Sequence, residues 1–92
     1  MPQVFRVGAY WIYFWSNEGK PLEPVHVHIA EGSPKQNGTK VWITSAGKCI
    51  IENNLSNIPK TTLRNIVRIV EARSDDVKSK WFSFFGEISY YC

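Results

Sequence analysis

The chain has 92 residues, 43% of them hydrophobic and 14% aromatic, and a formal net charge of +3. That is enough apolar side chain to build one domain with a real core, and it excludes a wholly disordered chain. The mild positive charge permits an anionic partner but falls short of the dense basic cluster of a dedicated nucleic-acid module.

Residues 4–7 read as a first strand, and Gly8-Ala9 as the tight turn of a hairpin. Residues 10–15 (YWIYFW) form a second strand, apolar on both faces and so expected in the middle of a sheet. This apolar block is far too short to span a bilayer, so no membrane partner is expected. Residues 16–21 are a loop by composition, and Pro24 suits the first position of a strand, where no ladder hydrogen bond is donated.

The run from Pro24 to about residue 30 then alternates in a two-residue period. His26 and His28 fall on one face, with Cα atoms roughly 7 Å apart, while Val25, Val27 and Ile29 fall on the other and point to a core. Residues 31–38 read as a longer, mobile turn. Residues 39–44 form a fourth strand, with Val41 and Ile43 on one face and Lys40 and Trp42 on the other. Residues 48–52 form a fifth, short and near an edge.

From Pro59 the period changes. Leu63, Ile66, Val67 and Val70 stand at i, i+3, i+4 and i+7, the pattern of an amphipathic helix. The seven-residue spacing continues through Val77 and Phe84, with Trp81 and Phe85 beside it, which predicts either one helix to residue 85 or two helices, the second opened by Ser74-Asp75-Asp76. Gly86 is a helix stop, and the tail 87–92 either adds an edge strand or frays. The expected fold is a single α+β domain over residues 1–92: an antiparallel β-meander of about five strands packed against a long C-terminal helix, unbroken or bent into two.

The two cysteines are Cys49 and the last residue, Cys92. With no signal-peptide pattern at the start, they read as free thiols in a reducing cytoplasm.

His26 and His28 are the chemistry-bearing pair, and three readings stand side by side. They act as acid and base on a phosphodiester, or bind phosphate, as in a metal-independent ribonuclease. They are half of a metal site, for which no third histidine exists in the chain. Or they pack as a structural pair, hydrogen-bonded and partly exposed. Glu18 is the candidate to orient an imidazole or serve as base, with Ser16 beside it in the same loop. Arg6, on the first strand, is placed to clamp phosphate; the plainer reading is an ion pair with Glu18 or Glu52. Lys40 and Trp42 are further candidate binding residues on the fourth strand, Trp42 as a stacking platform. Lys60, Arg64 and Arg68 line up at i, i+4 and i+8 as a basic stripe, either a solvated face or a contact for a nucleic-acid backbone. Trp15, Tyr90 and Tyr91 are candidates for exposed anchors to a protein partner. No cofactor is expected.

Three segments together resemble a known family. They are Met1-Pro2-x-Val4-x-Arg6-Val7, then Tyr10-x-Ile12-Tyr13-Phe14-Trp15-Ser16-Asn17-Glu18, then Pro24-x-His26-Val27-His28-Ile29. The likeness is to the small bacterial domain of unknown function 4160, and Trp42, the 63–70 helix and Trp81-x-x-Phe84-Phe85 are in keeping with it. Val25 stands where members commonly carry a second proline. The resemblance brings no established activity. It implies a gene placed beside that of a second small protein, as in a toxin–antitoxin pair. A cognate small protein would then be the partner, RNA a possible target, and Arg6, Ser16, Glu18, His26 and His28 the positions carried over without roles. The leading expectation is a component of such a two-gene module, RNA-directed through the His-x-His strand. The alternatives are a non-enzymatic protein-binding or regulatory subunit, homodimeric or not, and a metal-binding protein.

Overall fold

The computed structural model describes residues 3–16 and 21–92. Its five strands run β1 Gln3–Val7, β2 Tyr10–Tyr13, β3 His26–Glu31, β4 Thr39–Ile43 and β5 Cys49–Ile51, followed by α1 Lys60–Ala72 and α2 Ser74–Phe85. The strands pair in chain order, β1-β2-β3-β4-β5, every pair antiparallel. The fold is therefore α+β, an antiparallel meander with its helices at the C-terminal end of the chain.

The two-residue period sorts the sheet into two faces. Ile12 stands opposite Ile29, Val27 opposite Val41, and these pairs turn the same way as Phe5 and Ile43. This face packs on Leu63, Ile66, Val70, Val77 and Trp81 of the helices to form the core. Each such side chain contributes about 1.5–3 kcal/mol when fully buried. The opposite face carries Arg6 beside Trp11, then the row Tyr13, His28 and Lys40, then His26 beside Trp42.

The helical region divides into two. α1 ends at Ala72, and Arg73 (φ −111°, ψ 26°) joins it to α2. Asp75 and Asp76 occupy the first turn of α2, where the helix dipole favours acids, and Arg73 Nε pairs with Asp76 Oδ2 at 3.0 Å. Ser74 stands one position inside the expected cap; it is buried, and its side chain caps nothing. The inward stripe carries across the joint from Val70 to Val77, both fully buried. Val77, Trp81 and the half-buried Phe85 face the core, while Phe84, expected to continue the seven-residue spacing, is 49% exposed.

Two further expectations are corrected. β2 ends at Tyr13, short of the expected residue 15, and Phe14 beyond it is fully buried against the Trp81 ring at 4.9 Å. The tail neither pairs as a strand nor frays. It crosses back over the ends of β3 and β4, where Val25 N–H donates to Ser89 O at 2.9 Å and Ser45 N–H to Cys92 O at 3.1 Å. Among the described residues no helix is long and apolar enough to cross a membrane.

Candidate functional site

Both histidines project from β3 to the face away from α1, as the alternation requires. Their rings stand 5.0 Å apart, centroid to centroid, at 89°. Pro24, just before the strand, fixes the first of them. Its carbonyl accepts a hydrogen bond from His26 Nδ1 at 2.9 Å. A carbonyl can only accept, so the proton of His26 is on Nδ1 and, in the neutral ring, the lone pair is on Nε2.

Solvent barely reaches this pair. His26 is 0% exposed and His28 8%. Aromatic rings enclose them on several sides. Trp42 meets His26 at 5.3 Å from β4, and Trp81 reaches it at 5.3 Å from α2. Tyr13 lies 5.6 Å from His28, and Trp15 rests edge-on against Tyr13 at 5.3 Å. The loop expected to be mobile closes over this row. Tyr13 Oη donates to Lys35 O at 2.6 Å and accepts from Lys35 N–H at 3.0 Å. Gly38 then passes so close that an added Cβ would stand 2.3 Å from Tyr13 Oη and 3.2 Å from His28 Cβ.

The remaining candidates are distributed along this face. Arg6 is exposed and lies over the Trp11 ring at 4.9 Å, one row along the sheet from His28 and not in an ion pair with Glu52. Lys40 shares the row of His28, but its charge is met by Glu23 Oε1 at 2.9 Å, and its Nζ lies 4.3 Å from the centroid of the Trp42 ring. Trp42 is not an open stacking platform. Its Nε1–H donates to Glu52 Oε1 at 2.8 Å, and Tyr91 of the tail stacks on it at 4.8 Å and 9°. Ser16 is exposed, and Glu18 lies outside the described residues. Among the described residues no three His, Cys, Asp or Glu side chains converge as a metal site would need.

Residue patterns did not reveal Pro24 as an acceptor, Tyr13 as the post that pins the loop, or Tyr91 as the cover on Trp42. The X-Pro-X-His order carried a signal for the first. The other two depend on pairings across 22 and 49 positions, which no local pattern encodes.

The arrangement defines a class: a small α+β domain with a His-x-His strand packed into an aromatic wall instead of opening on a cleft. The chain belongs to the family described as Domain of unknown function (DUF4160), whose model matches residues 9–82. The match runs from the β1–β2 turn into α2 and includes both histidines, whereas Arg6 and Tyr91 fall outside it. No curated protein and no solved structure matches the chain.

Proposed function

We propose that this protein is the protein-binding component of a bacterial two-gene, toxin–antitoxin-like module, and that it acts by docking a small partner protein. One observation carries this reading. Both imidazoles are packed away from solvent, while large apolar side chains stand on the outside: Ile51 and Leu55 near the β5 edge, Phe82 and Phe84 on α2, and Tyr91 on the tail. Acid–base chemistry on a polymer needs a reacting group within hydrogen-bonding reach of the substrate, which a fully buried His26 lacks in this arrangement. Large apolar side chains left on the outside are what an interaction protein presents.

The RNA-directed reading keeps a narrower footing. His28 retains a little exposure, and Arg6 stands exposed on the same face over Trp11, where it suits a phosphate. In that reading His26 and His28 transfer protons and Arg6 holds the phosphodiester. One experiment separates the two. The protein is co-expressed with the product of the neighbouring gene and run on size-exclusion chromatography, and cellular RNA is followed after induction of the protein alone. Docking predicts a stable 1:1 or higher complex and intact RNA. RNA loss that a His28→Gln variant abolishes, with no complex formed, would replace it with the RNA-directed reading.

A further inference from the structure

On the far side of the molecule from the histidines, between the edge strand β5 and α1, lies a groove of about 250 Å³ lined by Ile51, Lys60, Leu63, Arg64 and Val67. Its floor is aliphatic: Leu63 is buried, Val67 half-buried and Ile51 46% exposed. Its rim is cationic. Lys60 and Arg64 are exposed, and neither forms an ion pair within the described residues. No carboxylate lines the groove. The nearest acid along the same helical stripe, Glu71, is already engaged, its Oε2 accepting the Cys49 N–H at 2.9 Å. The first turn of α1 adds to the positive field, because it carries no acidic side chain and no side-chain cap.

The strand beside the groove has an open backbone. β5 is the last strand of the sheet, and its partner pairing runs through β4 alone. Thr44 N–H donates to Lys48 O, and Glu52 N–H to Lys40 O, so the even-numbered residues face β4. Cys49 N–H points the other way, to Glu71, and by the two-residue period Ile51 N–H and C=O point outward with it, over the groove. An edge of this kind is a template for an incoming chain.

We propose that this groove is the docking site for an acidic, aliphatic protein segment. Leu or Ile side chains of the segment fill the floor over Leu63 and Val67. Its carboxylates meet Lys60 and Arg64, and its backbone takes up the outward hydrogen-bonding groups of Ile51. RNA fits less well. A nucleic acid is held by cations together with aromatic or hydrogen-bonding surfaces for its bases, and this floor is aliphatic throughout. The proposal rests on the protein-binding reading above and assigns that reading a surface and a partner chemistry.

The test uses the full chain, labelled with ¹⁵N. It is titrated with a synthetic 12-residue peptide of Leu, Ile, Asp and Glu, with the same peptide carrying Lys for each acid, and with a 12-nucleotide single-stranded RNA. The acidic peptide is expected to shift the amides of Ile51 and of Lys60 to Val67. The doubly charge-reversed variant Lys60→Glu, Arg64→Glu should weaken that binding about tenfold or more, whereas Lys80→Glu on α2 should not. Ile51→Ser, a change at an exposed position, should weaken it without reversing any charge. Equal binding of the Lys peptide, shifts centred elsewhere, or stronger perturbation of the groove by RNA would each overturn the proposal. The complex with the neighbouring gene product provides the separate control. If that complex forms and the Lys60→Glu, Arg64→Glu variant keeps wild-type affinity, the groove assignment fails while the protein-binding reading stands. If no complex forms, the protein-binding reading fails, and the peptide titration still decides the chemistry of the groove.

Discussion

At the scale of single residues, burial changes what a side chain can do. His26 and His28 were legible as a pair on one face because a strand places alternate residues together. Their enclosure was not legible, because Trp81 comes from α2 and Tyr13 is locked by the Lys35 backbone. Gly38 belongs to the same enclosure. It is needed for space, not for an unusual backbone angle, since a Cβ would stand 2.3 Å from Tyr13 Oη. Gly38→Ala must displace either the phenol or the loop, and such overpacking costs about 1–3 kcal/mol. The expected result is a lower urea midpoint together with faster amide exchange at Lys35. An unchanged midpoint would show that the loop yields without strain.

At the scale of elements, the tail is the part that propensity misjudged. EISYYC has the composition of a strand, yet two backbone hydrogen bonds and one ring stack hold it across β3 and β4 instead. Tyr91 is 57% exposed itself while its ring covers Trp42, which is 7% exposed. Truncation to Tyr91→Ala should remove about 0.5–1.5 kcal/mol, the usual worth of an aromatic pair. It should also shift tryptophan emission to the red and increase acrylamide quenching, as Trp42 meets water. Emission identical to wild type would mean that Lys40 and the His26 ring shield Trp42 without the tail. The helix joint teaches the converse lesson. Ser74-Asp75-Asp76 marked the place of the second helix correctly, because acids near a helix N-terminus act locally. Only the end of the stripe departs from the seven-residue spacing: from Val77 and Trp81 the helical period leads to Phe85, and Phe84 falls outside.

At the scale of the whole molecule, the packing between β5 and α1 links folding to pH. Burial, with the Glu71 carboxylate adding to it, pushes the Cys49 thiol from an ordinary 9.0 up to about 12. Above about pH 9 the unfolded chain has released this proton, while the folded chain keeps it until about pH 12. The unfolded state then binds fewer protons, so stability falls as pH rises through that window and is unaffected by this group below it. Urea midpoints measured across the window should decline more steeply for the wild type than for Cys49→Ala, and near neutral pH an alkylating reagent should modify the exposed Cys92 well before Cys49. Parallel declines, or equal alkylation rates, would contradict this account of the β5 environment. The sequence by itself determined the strand order of the meander, which residues of each strand share a face, the helical stripe through Val70 and the pairing of the two histidines. The shared faces, the stripe and the histidine pair follow from the periods 2 and 3.6 acting over neighbouring residues, and the strand order from the tendency of consecutive strands to pair through their connecting turns. Tertiary structure alone decided that the histidines lie inside an aromatic wall, that the tail covers Trp42, and that Ile51, Lys60 and Arg64 meet around a groove. Those facts depend on which distant segments come together, and that is set by how the sheet, both helices and the tail close around one core.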